Sequence, residues 1–178
     1  MDKDLKLWEK AVEFHGHICG GLTIGYRGAI LAMELLELDF SQDEEVVCVT
    51  ENDACGVDAI QVILGCSVGK GNLLFRLRGK QAFSFFNRKT GKSIRLVLKA
   101  DAMNNDCTNE ERQKFLFTAN SNEIFHVKEV QFVLPERARI FNSIECDSCG
   151  EKTADHLIKL QGDKKLCLDC FVPYERFM

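Results

Sequence analysis

The chain has 178 residues, enough for one ordinary domain plus a small appendage, and its 46% hydrophobic and 28% charged residues are the balance of a globular protein. A net charge of −4 supplies no basic surface for tracking phosphates, so nucleic acid is not an expected partner. No apolar run is long enough for a membrane span, and the start, Met1-Asp2-Lys3-Asp4, lacks the basic stretch and apolar core of a signal peptide. The nine cysteines are therefore expected as thiols and metal ligands in a reducing cytoplasm, not as a disulfide framework.

Residues 4–14 place Leu5, Trp8, Ala11 and Val12 on one face and predict a short amphipathic helix. It leads into His15-Gly16-His17-Ile18-Cys19, which holds two of the chain's four histidines and a cysteine. Imidazole and thiolate suit a borderline-soft divalent metal, and a thiolate is also a nucleophile. Gly16 lets the backbone turn so that both rings face one point. A longer helix is expected over 21–37, with Leu22, Tyr26, Ala29, Ile30, Met33 and Leu36 inward. Gly21, Gly25 and Gly28 permit close packing of its backbone. Cys19 then sits just before a helix N-terminus, where unpaired N–H groups favour a thiolate.

Glu45 to Thr50 is valine-rich and predicts a buried strand, followed by a turn at Asn52-Asp53-Ala54-Cys55-Gly56 and a short helix over 57–64. Cys55 is thereby a second cysteine at a strand-to-helix junction. Strands are expected over 72–77, 81–87 and 93–99, joined by Arg78-Gly79-Lys80 and Lys89-Thr90-Gly91-Lys92 as an antiparallel meander. The Gly65-Cys66-Ser67-Val68-Gly69-Lys70-Gly71 segment resembles a phosphate loop, but its glycine spacing is one short and glycine follows the lysine, so ATP hydrolysis is not expected. Lys70 is a candidate to orient an anionic ligand; the plain alternative is a solvated lysine on a turn. Thr108 with Glu111 forms a capping box and predicts a helix over 109–118. Val127 to Leu134 reads as a further strand, ended by Pro135. Strands clustered between helical segments indicate an α+β fold, an antiparallel sheet with flanking helices.

Cys146 and Cys149, then Cys167 and Cys170, form two C-x2-C pairs separated by 17 residues, the spacing of a tetrahedral structural zinc site. Gly150 suits a knuckle, and Phe171 to Tyr174 is expected in a short terminal helix, as in treble-clef fingers. Seven acidic and five basic side chains in residues 145–178 make protein docking the more economical use of this finger. The boundary is expected near Phe141 to Ile144, giving a core domain over 1–143 and a finger over 144–178.

His15, His17, Cys19, Asp53, Cys55 and Lys70 all fall at element ends, where sites are commonly built. Three readings of this set stand: a metal site of thiols and imidazoles with an open position, a Cys19–Cys55 dithiol–disulfide pair, or core thiols beside a turn-capping histidine. Cys48 is expected as core, Cys107 as a plain thiol, and His126 and His156 as ordinary polar residues.

The sequence resembles the FmdE family, named for the E component of formylmethanofuran dehydrogenase. The resemblance rests on Phe14-His15-Gly16-His17-Ile18-Cys19, Gly25-Tyr26-Arg27, Cys55-Gly56-Val57-Asp58-Ala59-Ile60-Gln61 and Gly65-Cys66-Ser67-Val68-Gly69-Lys70-Gly71-Asn72. It continues through Ala138-Arg139-Ile140-Phe141 into Cys146-x-x-Cys149-Gly150-Glu151. Gly20 departs from it, where family members often carry proline. The resemblance implies an α+β core, a C-terminal treble-clef zinc finger and a homodimer. It also implies a core site at His17, Cys19 and Cys55, with His15 and Lys70 nearby, and a link to molybdenum or tungsten enzymes of formylmethanofuran metabolism. The expected cofactors are a structural zinc in the finger and a second metal in the core, zinc before nickel or iron. The expected role is either a metalloprotein with a catalytic or sensing core site or an accessory subunit that docks on a larger oxidoreductase.

Overall fold

Helix α1 (Lys3–His15) carries Trp8 and Ala11 into the core, and α2 (Gly20–Leu36) follows after the His-Gly-His turn. The structure, a computed structural model, describes residues 3–100, 102 and 107–177, and it divides into two compact units, Met1–Ala138 and Arg139–Met178. In the larger unit come β1 (Val46–Thr50), α3 (Gly56–Leu64), β2 (Leu73–Phe75), β3 (Ala82–Asn87), β4 (Ser93–Leu98), α4 (Asn109–Thr118), α5 (Ser121–Ile124) and β5 (Phe125–Lys128). They make an α+β fold with a five-stranded sheet in the order β2-β1-β3-β4-β5.

The sheet is mixed where an antiparallel meander was expected. Strands β3 and β4 do pair as a hairpin, but β2 lies on the far side of β1 and runs parallel to it, with Val49 opposite Leu74. The cause is β1 itself. All five of its residues are buried, so it takes a central position with a neighbour on each side, antiparallel β3 and parallel β2. Helix α3 supplies the crossover that a parallel partner requires. The expected strand over 127–134 also differs, because β5 stops at Lys128. Val130, Phe132 and Leu134 instead pack with Val47, Val49 and Phe86 on a second apolar cluster. Beyond β1, Glu51 accepts two bonds from Arg95 on β4, at 2.6 and 2.8 Å, which ties the two sides of β3 together.

Two features position the candidate site. Helices α2 and α3 cross at Gly25 and Gly56, where a Cβ on Gly25 would stand 2.0 Å from the Gly56 carbonyl oxygen. Only α-carbons without a Cβ allow this approach, which brings the N-termini of both helices together. Helix α4 is fixed at both ends. The Thr108–Glu111 capping box forms as predicted. Arg27 of α2 donates to the carbonyls of Leu116, Phe117 and Ala119 at 2.9, 2.8 and 2.6 Å, satisfying acceptors that the helix itself leaves open. Burial pulls the Arg27 pKa below its ordinary value, a cost these three carbonyls offset.

The smaller unit has two hairpins, β6 (Ser143–Glu145) with β7 (Lys152–Ala154) and β8 (Lys159–Gln161) with β9 (Lys164–Leu166). Its core consists of Cys146, Leu166 and Cys167, flanked by Cys170 and Phe171. The short helix expected at Phe171 to Tyr174 does not form: among the described residues none follows Cys170. The chain there is anchored by a knuckle turn, with the Phe171 N–H bonded to the Cys167 carbonyl at 2.9 Å.

Candidate metal centre

Helix α1 ends at His15, and Gly16 takes a φ of +87°, a left-handed conformation that reverses the chain. The reversal sets the His15 and His17 rings 4.4 Å apart and delivers Cys19 to the N-cap of α2, where its sulfur accepts the Leu22 N–H at 3.3 Å. Ligand atoms of His15, His17 and Cys19 lie within 4.8 Å of one another. The His15 Nε2 stands 3.8 Å from the Cys19 Sγ. Zinc bonds of about 2.0 Å to nitrogen and 2.3 Å to sulfur, at the tetrahedral angle, separate two such donors by about 3.6 Å, so the pair fits the edge of one coordination sphere.

The other ring nitrogen is also held. His15 Nδ1 lies 2.7 Å from the Asp58 carboxylate, an acceptor that favours a proton on Nδ1, and Nε2 is the nitrogen turned toward Cys19. Asp58 was given no role by sequence reasoning. Its one signal is the three-residue spacing from Cys55, which puts both on one face at the start of α3. Gln61 donates to the same carboxylate at 3.2 Å.

Cys55 begins α3 directly across the glycine crossing. A Cβ on Gly21 would lie 3.7 Å from the Cys55 sulfur and 3.9 Å from the Cys19 sulfur, so both thiols border one space that a methyl group would invade. Burial, and then the proximity of Cys19, raise the Cys55 pKa, so the two thiols do not readily ionise together. Cys55 is nevertheless outside the tight His15, His17, Cys19 group. Asp53 lines a cleft of about 500 Å³ that also includes His15, Cys55 and Asp58.

Lys70 is not brought to this group. Its ammonium donates to the Ser41 carbonyl at 2.8 Å and lies 5.3 Å from the centre of the Phe40 ring. The glycine-rich loop that carries it is organised by Asn72, fully buried, whose amide bonds the carbonyls of Asp43 and Val46 and the Ser67 N–H. Cys48 and Cys66 are core thiols whose pKa values burial pushes up, Cys66 to about 12.

In the smaller unit, Cys146, Cys149, Cys167 and Cys170 place their sulfurs within 4.8 Å of one another, and Cys149 Sγ to Cys167 Sγ is 3.9 Å. That separation is close to the edge of about 3.8 Å expected for two sulfurs on one tetrahedral zinc. Backbone N–H groups of Cys149, Cys167 and Ser148 lower the Cys146 pKa to about 6, which favours the thiolate a metal requires. Gly150 turns the knuckle with φ +75°, and its N–H returns to the Cys146 carbonyl at 2.9 Å.

The family model described as "FmdE, Molybdenum formylmethanofuran dehydrogenase operon" matches residues 14–150, most of the chain and all of the core site. The chain belongs to the FmdE family. The model of the prokaryotic dksA/traR C4-type zinc finger matches residues 139–176, the unit that holds the four clustered cysteines. This FmdE protein is 28% identical, over 98% of its length, to a protein of Archaeoglobus fulgidus named "Probable S-adenosyl-L-methionine-binding protein", and it spans 55% of that relative. Its fold is similar to the crystal structure of an FmdE-like protein of the tungsten formylmethanofuran dehydrogenase type from Syntrophus aciditrophicus. The TM-score is 0.67 with 21% identity, covering 94% of this chain and 91% of that one.

Proposed function

We propose that this FmdE protein is a metalloprotein whose core holds one zinc-like ion through His15 Nε2, His17 and Cys19, with Cys55 as a fourth donor or as the thiol facing an open position. The observation that carries the reading is the His15 ring, clamped by Asp58 at 2.7 Å on one nitrogen and 3.8 Å from the Cys19 sulfur on the other. Such a carboxylate–histidine–metal arrangement fixes tautomer and ring orientation before any ion arrives. Cys19 and the histidines would hold an ion beside the start of α2, where it would supply Lewis acidity to a bound ligand. The finger cysteines carry a second, structural zinc. The family description, which names the molybdenum formylmethanofuran dehydrogenase operon, supports a setting in formylmethanofuran redox metabolism; a cytoplasmic homodimer is part of the same proposal.

Metal analysis of natively purified protein tests this. Two ions per chain are expected, falling to one in the Cys19→Ser, Cys55→Ser double variant while the finger keeps its own. Retention of both ions by that variant would overturn the core site.

A second reading, an accessory subunit that docks on a larger oxidoreductase, is favoured by one observation. The finger unit exposes Leu160, Val172, Tyr174 and Phe177, each at least two-thirds accessible. Co-purification with such an enzyme, lost on Leu160→Asp, would support it. The name of the Archaeoglobus relative makes S-adenosyl-L-methionine a further ligand to titrate against the core unit.

A further inference from the structure

Gly21, in the first turn of α2, leaves two thiols bordering the same open space. A Cβ there would stand 3.2 Å from the Cys55 Cβ, 3.7 Å from its sulfur and 3.9 Å from the Cys19 sulfur, so the glycine keeps clear the gap between them. Each thiol is half-buried and opens outward on its own side. Cys19 lines a cleft of about 820 Å³ between the start of α2 and α4, and Cys55 lines the cleft of about 500 Å³ beside His15. The two side chains are held differently. The Cys19 sulfur accepts the Leu22 N–H at 3.3 Å and stands 3.8 Å from His15 Nε2, while Cys55 makes no side-chain capping bond at the start of α3 and is free to turn. Cys48 and Cys66, by contrast, are wholly enclosed in the core and out of an oxidant's reach. A fixed, accessible thiol beside a second one able to turn toward it is the arrangement of a redox-sensing cysteine and its resolving partner.

We propose that Cys19 and Cys55 are a modification site: a hydroperoxide converts them to a reversible disulfide, and the bond empties the core metal site. As regulation of that ion it rests on the metal reading proposed above, whereas the sulfur chemistry itself does not require it. The Cys19 sulfur attacks one peroxide oxygen and the O–O bond breaks. Cys19 becomes a sulfenic acid, and the departing oxygen leaves as water with the thiol proton. The Cys55 sulfur then attacks the Cys19 sulfur, the S–O bond breaks, and the hydroxyl leaves as a second water with the Cys55 proton. The two thiols together lose two electrons, and one hydrogen peroxide is reduced to two waters. A small-molecule thiol returns both cysteines by exchange. Disulfide sulfurs no longer offer the thiolate that a zinc-like ion requires, so bond formation releases the ion.

The test treats the full chain, purified reduced with its native metals, with hydrogen peroxide. Mass mapping of the unreduced cysteine peptides reads the bonds, and a chromophoric indicator reads released ions. A Cys19–Cys55 cross-link reversed by dithiothreitol is expected, with one ion released per bond, and the map separates it from any bond among the finger cysteines. In Cys55→Ser the sulfenic acid on Cys19 has no resolving thiol and should be captured by dimedone. Gly21→Ala sets a methyl group between the thiols and should slow the cross-link about tenfold while dimedone still captures Cys19. Absence of the cross-link in the parent, or passage of its Cys19 to sulfinic acid instead, would overturn the pair; two ions per chain before treatment would leave the metal reading standing. A cross-link formed with both ions retained would overturn the regulation. A cross-link in a chain that holds only the finger's ion before treatment would support the pair and overturn the metal reading.

Discussion

His15 shows how much of the candidate site depends on a single residue's two faces. One ring nitrogen belongs to Asp58 and the other to the space beside Cys19, so the carboxylate decides which lone pair is offered. Asp58→Asn keeps the shape but no longer enforces that tautomer, and it is expected to cut core metal affinity by about 10- to 100-fold. Competition with a chromophoric chelator measures this, and the finger's metal serves as the internal control. Glu45 provides a residue-scale effect on pH stability. The N–H of Asp43 and the Ser41 hydroxyl donate to its carboxylate at 3.0 and 2.9 Å. The backbone N–H of Asp43, then its own N–H and the Ser41 hydroxyl, lower its pKa from 4.5 to about 2. Between those values the unfolded chain binds the extra proton, so the stability this group contributes is complete above pH 4.5 and is lost as pH falls through about 2. Denaturation midpoints measured across that window should fall less steeply for Glu45→Gln than for the parent.

At the scale of elements, the crossing of α2 and α3 determines whether a site exists. The two helices start differently: Cys19 caps α2 through its sulfur, while Cys55 starts α3 without a side-chain cap, leaving its thiol for the space facing Cys19. The Gly25–Gly56 approach is backbone against backbone and has no flexible side chain to give way. Gly25→Ala is therefore expected to cost about 3 kcal/mol and to lose the core metal together with stability. Gly69→Ala, where an added Cβ meets nothing within 4 Å, should leave both unchanged. Denaturant unfolding paired with metal analysis separates the two variants.

For the whole molecule, eight of the nine cysteines, all but Cys107, divide into three groups with different dependence on metal. Cys48 and Cys66 are buried in the larger unit's core and need none. Cys19 and Cys55 border the candidate core site, on helices that an extensive apolar core already holds. Among the described residues, the finger has only Cys146, Leu166 and Cys167 as buried apolar residues, too little surface to fold alone. Its fold should therefore follow its metal, for which apparent binding energies of roughly 10–16 kcal/mol are typical of small zinc fingers. On treatment with a strong chelator, hydrogen exchange should show protection collapsing in residues 139–178 while residues 3–100 keep theirs. Equal protection in both units before and after chelation would argue against a structural metal.

Read alone, the sequence determined what depends on near neighbours along the chain. Apolar periodicity located α1, α2 and α3, Thr108 and Glu111 marked the start of α4, the two C-x2-C pairs marked the finger, and Gly16 marked the turn between the histidines. These signals operate over a few residues, within one helical turn or one knuckle. Tertiary structure alone decided the partners far apart in sequence. Strand β2 joined β1 and not β3, because a fully buried central strand needs a neighbour on both sides. Asp58 met His15 across 43 positions, Lys70 turned to Ser41 and away from the histidines, and Cys55 came to face Cys19. The approaches of Asp58 to His15 and of Cys55 to Cys19 follow from the Gly25–Gly56 contact between α2 and α3, and a contact between two backbones writes no pattern into the residues it brings together.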